Sequence, residues 1–394
     1  MGQRLSMLAA ACTVACFAVG SAPGAAGRVP NWAAPQISTV VSHGLMAKSV
    51  STFRPNANLT QGTLATLASG LQAQLAPPPP STAGTKSTDS TPGSNDPSTD
   101  PGTSPDPTPP TTTGGTTTGG TTTTPTAANP NAPTTMTQLD RTLVTMLGLD
   151  KAAKEFTQGA RADGLAVPGR FGTEVVARLL GLRINHPAPE DFLELRPQDP
   201  ATRAEAAYSA AQILGFGLLS DSWQVAQVQS LADTFALPTL NDWQKQILTV
   251  AFSKIGMPYV WGGTSDGTET DFGVTARGGY DCSGFIWRVY KLQSYPDEGT
   301  LASTIQGRTT YTMSIEVPAS QRIPFKKLQP ADVIFFGDNG AHSTGAQVFH
   351  TAIYVGNGWF IQSSDEGVAL AQLSGWYRKK FAWGRRPLHE AGLD

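Results

Sequence analysis

The chain has 394 residues, of which 15% are charged and 39% hydrophobic, with a formal net charge of −2, 41 Gly and 30 Pro. That length allows two or three domains at about one per 150 residues, and so much Gly and Pro requires a sizeable stretch of loop or linker. The balanced charge excludes the basic excess of a nucleic-acid-binding protein, and the lack of an apolar run of about 20 residues beyond the N-terminus excludes a polytopic membrane protein.

Residues 1–27 begin with one basic residue, Arg4, continue through an apolar run from Met7 to Val19, and reach the small residues Ser21-Ala22-Pro23-Gly24-Ala25-Ala26. This pattern predicts a cleaved signal peptide and a secreted protein. Cleavage would remove Cys12 and Cys16 and leave Cys282 as the single cysteine. Such a cysteine cannot form an intrachain disulfide, so it is either a small buried hydrophobe or a reactive thiol.

Residues 28–76 read as a helical repeat. Phe53-Arg54-Pro55-Asn56 is followed by Thr60 and by Leu64, Leu67 and Leu71 at helical spacing. Residues 77–135 contain no Val, Ile, Leu, Met, Cys or aromatic residue, which predicts a disordered Pro/Thr/Gly-rich linker. Residues 136–240 return to the helical pattern. Leu195-Arg196-Pro197-Gln198 leads to Thr202, again five residues after Pro, and Glu205 three residues later suggests a capping box. Leu147-Gly148-Leu149, Leu180-Gly181-Leu182 and Leu214-Gly215-Phe216 are evenly spaced helix stops. The segments TFRPNANLTQGTLATLASGL and ELRPQDPATRAEAAYSAAQILGF resemble S-layer homology repeats, over roughly 36–71 and 137–216. The resemblance implies a module that holds exported proteins to secondary cell-wall polymers.

Residues 241–394 hold six of the eight tryptophans. An amphipathic helix is expected over 243–255, then short alternating segments at 333–336, 350–355 and 359–361. Gly356-Asn357-Gly358 should turn the last two into a hairpin. Helices followed by strands predict an α+β domain, and the boundary at 241 implies that residues 243–394 can act without the repeats. Cys282 lies in Gly279-Tyr280-Asp281-Cys282-Ser283-Gly284-Phe285, just before residues with helical spacing. It is therefore expected at a helix N-terminus, where the dipole favours thiolate. Of the downstream histidines, His342 lies in a polar loop and His350 opens a strand, so His350 is the expected base. Gln362 is then the orienting residue, a cross-strand neighbour if the hairpin is symmetric.

The segments GMPYVWGG (256–263), DCSGF (281–285), LQPADVIFF (328–336) and HTAIYVGNGWFIQSS (350–364) resemble the NlpC-type cell-wall cysteine endopeptidases over essentially 243–388. The resemblance implies a papain-like catalytic domain, with helices packed on a small antiparallel sheet, that hydrolyses an amide bond in peptidoglycan stem peptides. It implies Cys282 as nucleophile, His350 as base and Gln362 as orienting residue, with Tyr259, Asp281 and Ser283 lining the substrate side. The sequence departs from the family at Gln362, more often His, Asn or Glu, and at Ala331, where Gly is usual. Residues 264–278 and 337–349 read as loop insertions. One cysteine and scattered histidines offer no metal-ligand spacing, so neither metal nor cofactor is expected. The expected partners are stem peptides and, through the repeats, secondary cell-wall polymers, with no nucleic acid and no other protein partner.

Overall fold

The computed structural model describes residues 32–77 and 129–394. The signal peptide expected at 1–27 and residues 78–128 of the expected linker lie outside the described residues. The described residues up to Ala76 and from Asn129 onward form one compact unit.

The N-terminal half carries α1 (Ala34–Ser42), α2 (Gln61–Leu75), α3 (Met136–Met146), α4 (Asp150–Ala162), α5 (Phe171–Leu179), α6 (Arg203–Leu214) and α7 (Trp223–Asp233). Three of these helices start alike. The hydroxyls of Thr60, Thr135 and Thr202 accept the backbone N–H groups of Thr63, Gln138 and Glu205 and cap α2, α3 and α6. The segments before the caps bond head to tail in a closed ring. Leu59 N–H donates to Ala201 O (2.7 Å), Ala201 N–H to Thr134 O (2.7 Å) and Thr134 N–H to Leu59 O (2.8 Å). Backbone groups that converge in the interior thus satisfy one another.

The ring corrects the linker boundary. Residues 129–135, assigned to the linker by composition, supply its third member, with Pro130 five residues before Thr135 as Pro55 and Pro197 precede Thr60 and Thr202. Their order rests on main-chain bonds, such as Gln61 N–H to Ala132 O (2.9 Å), which a count of apolar side chains does not register. The caps differ from expectation too. Thr135 and Gln138 form a reciprocal box, whereas the Glu205 side chain is buried beside His186, at 3.9 Å. Gly148 and Gly181 stop α3 and α5 with φ of +73° and +66°. Gly215 stays right-handed at −71°, and the chain turns at Gly217 instead, with φ +73°.

The C-terminal half comprises α8 (Asp242–Ser253), β1 (Thr264–Ser265), β2 (Glu269–Asp271), β3 (Val274–Ala276), β4 (Gly279–Tyr280), α9 (Cys282–Trp287), α10 (Leu301–Thr304), α11 (Thr310–Ser314), β5 (Val333–Gly337), β6 (Val348–Gly356), β7 (Trp359–Ser364), β8 (Gly367–Gln372), α12 (Gly375–Lys380), β9 (Phe381–Arg385) and α13 (Pro387–Glu390). The last five strands make an antiparallel sheet in the order β8-β7-β6-β5-β9. One face, with Val333, Phe335 and Ile353, joins the core that holds Phe285, Ile286 and Val289 from α9 and the turn after it. The other, with Ile334, Phe336, Ala352 and Phe360, is covered by Phe325, Leu328 and Tyr377. The architecture is α+β, with the helices first. Residues 264–278, read as an insertion, form the small sheet β2-β3 and supply β1, which pairs with β4 just beyond them.

Ala331 explains its own oddity. Its φ is +69°, a left-handed conformation that costs a residue with a Cβ about 1–2 kcal/mol. Ala331→Gly should raise the melting temperature by a few degrees, read by thermal unfolding, and an unchanged or lower value would show that the strain is relieved elsewhere.

The two halves share one core. Trp359 of β7 packs edge-on against Phe156 (5.8 Å) and Phe235 (5.3 Å), and Phe171 lies 5.0 Å from Phe252 of α8. Arg178 of α5 donates to Gly256 O at 2.6 Å, and Arg170 to Ser253 O at 2.9 Å and Ile255 O at 3.1 Å. Cutting at 243 would expose Trp359 and Phe252, which are almost fully buried, so residues 243–394, expected to act alone, should be less stable without the helical half.

Candidate active site

Cys282 is the first residue of α9, and Asp281 is its N-cap. The thiol is partly exposed. Asp281 is fully engaged: Oδ1 accepts Gly284 N–H and the Ser283 hydroxyl (2.9 Å), and Oδ2 accepts Gly262 N–H (3.1 Å). Arg308 clamps the same group. Its guanidinium donates to Asp281 Oδ1 (3.2 Å), to Ser283 Oγ (2.8 Å) and to Gly262 O (2.6 Å). The loop also presses on the helix, since a Cβ on Gly284 would collide with the Gly263 carbonyl. Asp281 and Ser283, expected to line the substrate side, also hold in place the helix that begins at Cys282. Tyr259 is half-buried, and burial, with smaller contributions from the Cys282 and Asp281 groups, holds its phenol far above the ordinary value.

His350 sits on β6. Its Nε2 lies 2.7 Å from Gln362 Oε1, and Gln362 Nε2 donates to the Tyr377 hydroxyl at 2.8 Å. That amide orientation makes Gln362 an acceptor, so the ring carries its proton on Nε2 and leaves Nδ1 free. The ring stacks on Phe336, with centroids 5.6 Å apart. His350 and Gln362, expected as cross-strand neighbours, are neighbours on the diagonal rather than directly opposite. The turn is the two-residue Asn357-Gly358, with φ of +49° and +79°. With Ile353 opposite Ile361 and Tyr354 opposite Phe360, Gln362 falls opposite Ala352, diagonal to His350. A long side chain spans that diagonal. His342 is exposed on a 3-10 turn, apart from this network.

Helix α9, which begins at Cys282, packs against β6, and the Thr351 backbone N–H, next in the chain to His350, acts with that of Ser283 to lower the pKa of the Cys282 thiol. Burial, reinforced by the Asp281 charge, nevertheless pushes the thiol up to about 11. Burial pushes the His350 imidazole down to about 4, against the raising effect of Gln362. Against the thiolate expected from the helix dipole, burial of both groups and a carboxylate cap one residue from the sulfur favour a neutral thiol and a neutral imidazole at rest.

The neutral pair makes Gln362 testable. Gln362→Asn, too short for the diagonal, should lower kcat by about 10-fold or more, a typical contribution of a group that orients a general base. Gln362→Glu keeps the reach and should lower it less. The new carboxylate would also raise the pKa of His350, and because the base acts unprotonated, the acid limb of the kcat/KM profile would move towards neutral pH. A Glu variant whose acid limb stays in place would show that Gln362 does not touch the working base. Arg308, Thr310 and Tyr377 carry no local motif and were not anticipated from the sequence.

Comparison with known proteins agrees with this geometry. Residues 256–386 match the model of the NlpC/P60 family, and residues 26–65 match that of the S-layer homology domain. The first match assigns the segment that bears Cys282, His350 and Gln362 to the NlpC/P60 family. The chain is similar to peptidoglycan endopeptidase RipA of Mycobacterium tuberculosis, at 31% identity over 32% of this chain and 23% of that one. It is likewise similar to the bifunctional muramidase/DL-endopeptidase CwlT of Bacillus subtilis, at 31% identity over 35% of this chain and 34% of the relative. Murein DD-endopeptidase MepH of Escherichia coli is 28% identical over 36% of this chain and 45% of its own length. The chain thus spans less than half the length of these relatives.

Proposed function

We propose that the chain is an exported peptidoglycan endopeptidase that hydrolyses amide bonds in stem peptides by a Cys282-His350-Gln362 mechanism. The observation that carries the reading is the His350 ring, held through Nε2 by Gln362 and carried on β6, the strand that packs against the helix whose first residue is Cys282. In the reaction the Cys282 thiol gives its proton to His350 Nδ1 while the sulfur attacks the amide carbonyl. The carbonyl oxygen takes up the electron pair and is met by the Cys282 backbone N–H at the start of α9. Collapse breaks the C–N bond, and the amine leaves with the proton from His350. Water, activated by the same nitrogen, then releases the acid from the thioester. Tyr259 flanks the reacting carbonyl, and Gln362 stabilises the imidazolium through its carbonyl oxygen.

The helical half supports the wall-anchoring part of the reading. A groove of about 710 Å³ is lined by Met46, Lys48, Thr60, Thr63, Asn131 and Arg203, and Arg203 is fixed by Phe53 O and Met46 O, both at 2.7 Å. The full chain incubated with purified wall material should release new amino groups and sediment with the walls. Extraction of the secondary polymers should abolish sedimentation but not release. No release of amino groups from wall material would sink the enzymatic reading, and unchanged sedimentation after extraction would sink the anchoring role.

A further inference from the structure

The sulfur has a partner that the mechanism above does not use. Cys282 Sγ lies 3.2 Å from Thr310 Oγ1, and in this resting arrangement its side-chain hydrogen bond goes to that hydroxyl rather than to His350. We propose that Thr310 is a further catalytic residue, whose hydroxyl holds the thiol at rest and donates to the sulfur as it becomes a thiolate. The inference rests on the reading of Cys282 as nucleophile.

Several features fix the hydroxyl there. Thr310 is the first residue of α11, whose start is set by the reciprocal box of Thr309 and Thr312. At a first helical position a threonine has no preceding helical carbonyl to bond, so its hydroxyl is available to a neighbour. Two residues earlier, Arg308 pins the same segment to Gly262 O and to Asp281. Thr310 is 8% exposed, so water does not compete freely for either partner. The groups facing the sulfur are otherwise ill suited to an anion. Asp281 adjoins it with a carboxylate offset by Arg308, Tyr259 across the site is a neutral phenol, and His350 on β6 is neutral, with Asp365 beyond it. Among the described residues the Thr310 hydroxyl is the side chain hydrogen-bonded to the sulfur, and the backbone N–H groups of Thr351 and Ser283 also favour its charged form.

The step balances without a new reactant. The S–H proton passes to His350 Nδ1, the sulfur pair forms the S–C bond, and Thr310 keeps its own proton throughout, turning it towards the sulfur as charge develops. A donor to a charged sulfur is stronger than one to a neutral thiol, so the hydroxyl favours the thiolate and the acylation transition state over the resting thiol.

The test is alkylation of Cys282 by iodoacetamide in the full chain across pH, which needs no wall substrate. Thr310→Val and Thr310→Ala remove the hydroxyl, and Thr310→Ser keeps it. The two deletions should raise the pH midpoint of alkylation by about one unit, a tenfold lower rate at a fixed pH below it, while Ser titrates as the native protein. A Val or Ala variant that titrates as the native protein overturns the proposal, as does a Ser variant that shifts with them. A native chain that alkylates as described yet releases nothing from peptidoglycan would sink the functional reading and leave the role of Thr310 at the sulfur standing.

Discussion

Cys282→Ala is expected to reduce hydrolysis to background, a loss of at least about 10⁴-fold, since removing a covalent nucleophile leaves only binding and oxyanion contacts. Stability should barely change. The thiol's side-chain bond is to Thr310, and α9 is held instead by the Asp281 cap, the Arg308 clamp and the burial of Phe285 and Ile286. Activity and thermal unfolding should be measured on the same preparation. Residual turnover near the native rate would remove Cys282 from the mechanism, and a collapse of the melting temperature would make it a packing residue.

His350→Ala should lose about 10²-fold or more in kcat, the typical contribution of a positioned general base, while His342→Ala stays near the native rate. The contrast follows from placement. His350 is fixed by Gln362 on a strand and stacked on Phe336, whereas His342 is exposed on a short turn. Because the working imidazole is neutral down to about pH 4, native activity should persist well below pH 6, with its acid limb near the pKa of His350. The reverse ranking of the two alanine variants, or an acid limb at the ordinary histidine value, would contradict the neutral-pair account.

The parts of the site that were legible in the sequence are those encoded locally. An Asp before a Cys before small and apolar residues at helical spacing is a capped helix start, and a Gly-flanked turn between apolar runs is a hairpin. The diagonal from His350 to Gln362 was not legible, because it depends on which two residues form the turn and on a bulge between Tyr354 and Gly356 that no composition marks. The part that Asp281 and Ser283 play in holding α9 was not legible for a related reason. Their role is set by Arg308, 27 and 25 residues further along, and an arginine in a loop gives no hint of its partner. The third member of the threonine ring was hidden by the low-complexity stretch before it, although its Pro-to-Thr spacing was in plain sight. Contacts such as Trp359 against Phe156 join segments some 200 residues apart, so the dependence of the catalytic half on the helical half required the tertiary structure.

The central claim is that this site adds water to an amide bond within a peptidoglycan stem peptide. Its most direct test is digestion of purified peptidoglycan by the full chain in water enriched in ¹⁸O, with mass analysis of the fragments beside the Cys282→Ala protein. The account predicts fragments cut inside the stem peptide, each new carboxylate carrying one ¹⁸O atom and each cut exposing one new amine, all absent with the variant. Fragments cut between sugars, or new acyl products without ¹⁸O, would contradict it.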